Sequence, residues 1–376
     1  MSAPEPGSML VFVPHLESMT TSERSPMMLR TLRSLFPVKE VPSSRFARLI
    51  YDQKVNKLAR YLLFPLEEWA LFYGTLLRLR GGGSIVFAEG SYFAMPAALA
   101  AKFRDAPMVW DNHGNIKSFA AALGKSRFFT AINITLERSL ARMVTKILVV
   151  SEKDRLDYGS MGFPLSKFVV VPTCADLVSV RKGKIDRDEA RRRLGIEDRE
   201  KVVLFFGTLS YGPNLEAARY IAERLAPPVL KVRPEVRFYI AGGGVPKEGL
   251  GQEVKALGFV EELNLWISAS DLCIAPIWSG VGILTKVIEM MAYGKPTIVS
   301  PLALEGMPDL IPEVNCLLGR DKDDFAAQLL RLLGDDVMAQ RIAVEGRKLI
   351  ERSYSCEKVG SQLLAMMSEL AEKESS

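Results

Sequence analysis

Lys286 and Glu289 stand three residues apart in the run Thr285-Lys-Val-Ile-Glu-Met-Met-Ala292. On a helix that spacing puts a cation and a carboxylate on one face. The run is entered through Ser279-Gly280-Val-Gly282 and left at Gly294, so a Gly-x-Gly loop opens the helix and a glycine closes it. An ammonium in such a place suits a diphosphate, and a carboxylate suits a pair of ribose hydroxyls. A surface i,i+3 ion pair would use the same spacing; the flanking glycines and the downstream Gly-Lys-Pro argue against it. A second stretch, Val202-Val-Leu-Phe-Phe206 followed by Gly207-Thr208-Leu-Ser-Tyr-Gly-Pro-Asn214, reads as a strand, a tight turn and a helix start. Glycine there lets backbone approach a ligand, and the first turn of a helix offers free N–H groups to a phosphate. Alone, that stretch is also what a plain strand-to-helix turn looks like.

Such residues must be held by elements, and the elements are legible. Short β-branched runs, apolar throughout rather than alternating, recur at Met9–Val13, Ser84–Ala88, Met108–Trp110, Lys146–Val150 and Lys167–Val171, then at Lys201–Phe206, Arg237–Ala241, Leu272–Ala275 and Pro296–Val299. Strands buried on both faces of a parallel sheet read this way. Amphipathic stretches separate them, which predicts two α/β sheets in series. Asp176 to Arg199 is polar and densely charged, with a short helix closed by Gly195. The expected division is therefore an N-terminal domain over 1–176, a linker over 177–199, a C-terminal domain over 200–352 and a last helix over 353–376, which can cross back to the first domain.

The chain has 376 residues, 48% of them hydrophobic, enough for two cores. Its four cysteines, Cys174, Cys273, Cys316 and Cys356, form no paired motif, and a reducing compartment is expected. Met1–Gly7 is polar and Met9–Val13 too short for a signal h-region, so the expected location is cytoplasmic. Residues 1–175 carry 22 Lys and Arg against 14 Asp and Glu. That excess predicts an anionic partner, a membrane surface or a phosphorylated acceptor; no nucleic-acid motif accompanies it. Arg45 to Arg60 reads equally as a basic amphipathic helix on lipid and as an ordinary domain-covering helix. Leu58–Leu79 is no membrane span, because Arg60, Pro65, Glu67, Glu68 and Arg78 interrupt it.

With these residues on the page, the second half resembles the GT-B glycosyltransferases, in particular the retaining enzymes of family 4. Glu289-Met-Met-Ala-Tyr-Gly-Lys-Pro-Thr-Ile298 matches that family's run from glutamate to the next strand. Phe206-Gly-Thr-Leu-Ser, Pro213-Asn214, Ile240-Ala-Gly-Gly-Gly244 and Gly258-Phe-Val260 before it, and Leu304-Glu-Gly-Met307 and Val314-Asn-Cys-Leu-Leu-Gly319 after it, match in order. In the first half the match is confined to Asp111-Asn-His113, Val149-Val-Ser-Glu152 and Val170-Val-Pro172, with Asp176 after it. The resemblance implies two Rossmann-like domains with parallel sheets facing a central cleft. It implies a nucleoside-diphosphate sugar as donor, Gly207 and Thr208 at its phosphate end, Lys286 on the diphosphate, Glu289 on the ribose, and Phe259 and Val260 beside the base. Ser279, Gly280 and Gly282 would line the donor, and His113 would act on the acceptor side.

The chain departs from that pattern in two places. The first glutamate of the family's acidic pair would fall at Val281, and the N-terminal glycine pair is replaced by Glu17-Ser-Met-Thr-Thr-Ser22. Of the two histidines, His113 is the candidate and His15 stays open. Asp186-Arg-Asp188 and Asp321-Lys-Asp323 match a metal-binding pattern of another fold but lie in charged segments, so no metal and no cofactor is expected. The expected function is transfer of a sugar to a glycan or lipid-linked acceptor hydroxyl, with retention. A nucleotide-sugar epimerase and a non-catalytic nucleotide-sugar binder are the alternatives.

Overall fold

The computed structural model describes residues 9–13, 24–42, 56–79, 84–114, 116–117, 120, 126–247, 249–280 and 282–375. They divide into two compact units: Met1–Lys117, Lys125–Pro172 and Val359–Ser376 form the first, Ser118–Gly124 and Thr173–Lys358 the second. His15, most of the basic stretch from Arg45, and the segment 17–22 lie outside the described residues.

In the first unit, β1 (Met9–Val13), β2 (Val38–Glu40), β3 (Ser84–Glu89), β4 (Met108–Asp111), β5 (Lys146–Val149) and β6 (Phe168–Val170) form one parallel sheet in the order β2-β1-β3-β4-β5-β6. Every residue of β1, β3 and β4 is buried, as their unbroken apolar character requires. Helix α1 (Arg24–Arg33) crosses from β1 to β2, whereas α2 (Lys57–Arg78), α3 (Ser91–Phe103) and α4 (Arg127–Met143) lead into β3, β4 and β5. The chain runs outward from β1 in opposite directions in these two sets of crossovers. Right-handed connections therefore put α2, α3 and α4 together on one face of the sheet, with α3 packed between the other two. Helix α3 comes close to the strands because its buried side is made of Ala94, Ala97, Ala98, Ala100 and Ala101, set against Val11, Val86 and Trp110. A further helix, α5 (Glu152–Ser160), follows β5.

The second unit repeats the scheme with β7 (Lys201–Phe206), β8 (Val236–Ala241), β9 (Val254–Gly258), β10 (Leu272–Ala275), β11 (Thr297–Val299) and β12 (Leu317–Leu318), in the parallel order β12-β11-β10-β7-β8-β9. Its strand order reverses between β7 and β10, the place where a doubly wound sheet opens a crevice at its carboxyl ends. Every apolar run named from the sequence forms a strand to within two residues. The strands not foreseen, β2, β9 and β12, are all sheet edges. An edge is paired on one side only and needs no continuous apolar run, so Lys255 and Lys39 can sit in them.

Two sequence expectations need correction. Residues 177–199 are not a linker: they form α6 (Leu177–Gly183) and α7 (Arg187–Leu194), which belong to the second unit and pack on α9 (Leu263–Ala269). Their charge is used locally. Asp176 and Asp186 accept N–H bonds at the two helix starts, and Gly195 ends α7 in the left-handed conformation. Arg191 is fully buried, its Nη2 2.6 Å from Asp271 Oδ2, while Arg187 Nη2 lies 2.7 Å from Oδ1 and Val202 N donates to Oδ2. The second Asp-x-Asp is a cap as well: Asp321 accepts from Asp323 N and Asp324 N. The other correction concerns the cysteines. Cys174 and Cys356, separated by 182 residues, are joined in a disulfide. Around it Ala175 N donates to Tyr354 O and Cys356 N to Ala175 O. Only Cys273 and Cys316 are free, and both are buried.

The Arg191 interaction sets a measurable cost, because removing one partner of a buried ion pair strands the other. Arg191→Met is expected to lower the unfolding free energy of the second unit by about 3 kcal/mol, read from the shift of its urea transition.

Candidate functional site

The site in the second unit is built from strand ends. Gly207 follows β7 and Gly242 follows β8, and each has φ of 152°. A Cβ on Gly242 would stand 2.0 Å from Gly207 O, and one on Gly244 would stand 2.5 Å from Ser210 Oγ. The turns 207–211 and 242–244 are therefore in backbone contact, fastened by Gly207 N to Ala241 O at 2.9 Å and Leu209 N to Gly243 O at 2.7 Å. Gly242 N donates in turn to Gly258 O at 2.7 Å, which brings the end of β9 onto the same shelf.

Lys286 completes it. It is the second residue of α10 (Thr285–Ala292). The residue is half-buried, and its ammonium donates to Asn214 Oδ1 and lies 4.8 Å from the centroid of Phe205. Burial pushes its pKa down to about 7. Asn214 is itself oriented, since its Nδ2 donates to Thr208 O at 2.9 Å. A Cβ on Gly207 would stand 2.9 Å from Lys286 Nζ and 2.8 Å from Asn214 Nδ2. Gly207, Thr208, Asn214 and Lys286 thus form one contact set at the switch point. The start of α8 (Gly212–Tyr220) and that of α10 have no side-chain cap among the described residues. In α8 Pro213 has no N–H and Asn214 N donates to Tyr211 O, which leaves the Gly212 N–H for a ligand; in α10 Val287 N donates to Leu284 O, which leaves those of Thr285 and Lys286.

The other donor-side candidates take different positions. Phe259 and Val260 directly follow β9, with Phe259 exposed and Val260 half-buried. Ser279 Oγ lies 3.4 Å from Glu216 Oε2 at the surface. Gly280 and Gly282 have φ of 153° and 66°, and Gly282 O would meet a Cβ on Gly306 at 2.6 Å. Trp278 anchors that loop through edge-on contacts with Tyr220 and Phe325. Glu289 is half-buried on α10, one turn beyond Lys286.

His113 belongs to a separate set at the carboxyl ends of the first unit's strands. Its Nε2 is 3.0 Å from Asp111 Oδ2. Asp111 is fully buried at the end of β4 and clasped by Arg24, with Nε to Oδ2 at 3.0 Å and Nη2 to Oδ1 at 2.6 Å, while Arg24 Nη1 donates to Val171 O. Burial alone would raise the Asp111 carboxyl; the Arg24 guanidinium and His113 reverse that and hold it well below the usual carboxylate range. Glu89, at the end of β3, accepts from Ser25 Oγ, and oxygen and nitrogen atoms of Glu89, Asp111 and His113 lie within 4.8 Å of one another. Those three residue types could ligate a metal, although both oxygens of Asp111 are already engaged by Arg24. The turn bearing His113 is steadied from behind: Asn112 donates to Tyr158 Oη, and Tyr158 donates to Glu137 Oε2. Burial pushes the Glu137 carboxyl up to about 7, partly offset by bonds from Ser91 and Tyr158.

Sequence reasoning missed Phe205 and Gly242 at the second unit's switch point and Arg24 and Glu89 in the first unit. The glycine run at 242–244 was a usable signal. For Arg24, 87 residues from its partner, there was none.

Comparison with known proteins bears on both halves. A family model described as Glycosyltransferase Family 4 matches residues 41–178, and one described as Glycosyl transferases group 1 matches residues 200–335. An uncharacterized glycosyltransferase of Methanocaldococcus jannaschii is 28% identical over 187 residues, 46% of this chain and 46% of that one. The UDP-N-acetylglucosamine–N-acetylmuramyl-(pentapeptide) pyrophosphoryl-undecaprenol N-acetylglucosamine transferase of Thermus thermophilus is 29% identical over 259 residues, 66% of this chain and 64% of its own length. The chain spans about half the length of the curated relatives it matches. The crystal structure of Anabaena Alr3699/HepE in complex with UDP superposes with a TM-score of 0.72 at 16% identity, covering 96% of this chain and 100% of that one, a likeness of fold.

The crowding at Gly207 has a testable signature. Gly207→Ala is expected to cost about 2 kcal/mol in a denaturation experiment, against about 1 kcal/mol for Gly195→Ala, which shares a positive φ but faces open space. Equal losses would remove the steric reading of the shelf.

Proposed function

The chain belongs to the group 1 glycosyltransferases and has their two-sheet GT-B fold, and on that premise we propose that it moves a sugar from a nucleoside-diphosphate donor to an acceptor hydroxyl. One observation carries the reading. At the switch point of the second sheet, a lysine ammonium, two helix starts without side-chain caps and a glycine-lined backbone shelf come together, the groups that bind a diphosphate.

The roles follow from what each group can do. As the glycosidic bond to the diphosphate breaks, negative charge grows on the leaving phosphate oxygen, and Lys286 with the N–H groups of Gly212, Thr285 and Lys286 offsets it. Gly207 and Thr208 let the phosphates approach backbone. Glu289 accepts from the ribose hydroxyls, Phe259 and Val260 flank the base, and Ser279, Gly280 and Gly282 shape the loop beside the donor. His113, its ring held by Asp111, serves the acceptor side. The charge balance needs no metal or cofactor in this scheme, and transfer proceeds with retention. UDP as the leaving nucleotide is supported by the nucleotide bound to the Anabaena protein, and a lipid-linked acceptor by the activity named for the Thermus relative.

The reading is tested by incubating the chain with radiolabelled UDP-sugars and a membrane lipid extract. A labelled glycolipid supports it; UDP binding with neither transfer nor donor hydrolysis points to a non-catalytic binder. Lys286 adds a pH signature. In the empty protein it loses its proton as pH rises through about 7, whereas a bound diphosphate requires the charged form. UDP affinity should accordingly be highest below pH 7 and fall about tenfold per unit above it, measured by calorimetry. Lys286→Ala should abolish that slope and weaken binding by about 1.5–3 kcal/mol at low pH. His113→Ala should lower turnover about tenfold or more while changing UDP affinity by less than about twofold, a split expected of a group acting on the transfer step.

A further inference from the structure

The outward side of α2 is apolar without interruption. From Pro65 to Arg78 its exposed positions are Pro65, Leu66, Trp69, Tyr73 and Leu77, with Leu77 81% exposed. Trp69 and Tyr73 stack at 5.7 Å, so the aromatic pair forms one continuous surface. A helix that merely covers a sheet shows charge on this side.

Its neighbours continue the pattern. On α3, Leu99 and Phe103 are exposed, Phe103 at 74%. On α4, Phe128, Ile132 and Leu136 repeat at intervals of four along the exposed side, Phe128 at 77%. The three helices lie side by side on one face of the sheet. A soluble monomer rarely leaves so much contiguous apolar surface to water without using it.

Charge selects the occupant. The exposed charged residues of α3 and α4 are Lys102, Arg127, Arg138 and Arg142, all cations, while the one acid of α4, Glu137, is buried. On α2, Glu67 is buried and the Glu68 carboxyl is pushed up to about 7 by burial and by Glu67, so Glu68 is only partly ionised at neutral pH. Aromatic and aliphatic side chains rimmed by cations match a lipid interface with anionic headgroups. A two-fold contact with another copy would instead set arginine against arginine. No helix among the described residues is long and apolar enough to cross a membrane, so contact would be peripheral.

We propose that the α2–α3–α4 face of the first unit is a docking surface for anionic phospholipid bilayer, inserting Trp69, Leu77, Phe103 and Phe128 to headgroup depth with Arg127 and Arg142 on the phosphates. The surface goes beyond the transfer reaction and stands without it.

The test sediments the full chain with vesicles of phosphatidylcholine alone and of phosphatidylcholine with phosphatidylglycerol. Binding to the anionic vesicles is expected, with a drop of about tenfold or more both in a Trp69→Gln, Leu77→Gln, Phe128→Gln variant and in an Arg127→Gln, Arg142→Gln variant. All these positions are exposed, so both variants should melt as wild type does. The proposal is overturned if the wild-type chain stays in the supernatant, or if either variant binds as wild type does. It is equally overturned by a wild-type dimer in sedimentation velocity that the apolar variant dissociates, with no vesicle binding; the face would then join two copies. UDP affinity is read in parallel: vesicle binding by a chain that does not bind UDP upholds this surface and removes the donor reading alone.

Discussion

The candidate site of the second unit depends on two missing Cβ atoms. Because Gly207 and Gly242 carry none, the ends of β7 and β8 meet backbone to backbone, and a side chain at Gly242 would overlap Gly207 O outright at 2.0 Å. The φ of 152° at both positions is a conformation that side chains oppose as well. Conformational strain that any other residue would meet is thereby avoided, and the gap left over Phe205 is just where Lys286 places its ammonium. The glycines contribute no chemistry of their own; they make room for backbone N–H groups and a cation to meet.

That cation is kept under tension between solvation and use. An ammonium removed from water prefers to lose its proton, and with Asn214 and the Phe205 face as the contacts described, its pKa falls to about 7. A carboxylate beside it would have stabilised the charge but also competed with an incoming diphosphate. A neutral amide orients the lysine without cancelling it. The first unit solves the opposite problem. Asp111 is fully buried and must stay charged, so Arg24 grips both of its oxygens and His113 shares one of them. In one unit a charge is left short of partners where a ligand can supply them; in the other it is saturated so that a histidine is held still.

The former linker shows how charge density misleads. Asp176 to Arg199 looked like a solvated connector because polar residues crowd there, yet Arg191 is among the most buried side chains of the molecule. Its guanidinium satisfies Asp271 and several carbonyls near the amino end of the second sheet. A buried arginine with full hydrogen bonding and a solvated one are the same letter in a sequence. The disulfide between Cys174 and Cys356 was hidden for a related reason, since nothing local marks a partner 182 residues away.

What the sequence determined by itself was set by short-range physics. Short unbroken apolar runs bounded by turn signals read as strands covered on both faces, so the two parallel sheets and their central strands were legible, and so were the glycine turns and the Lys286–Glu289 spacing, which depend on backbone conformation within a few residues. The edge strands β2, β9 and β12 were not, because an unpaired flank lifts the apolar requirement. Tertiary structure alone decided the rest: that Asn214 holds Lys286 from 72 residues away, that Arg24 neutralises Asp111, and that the helix at 57–78 turns an apolar side to solvent. Each of these is fixed by which surfaces meet once the chain has folded, a long-range choice that neither residue type nor spacing encodes.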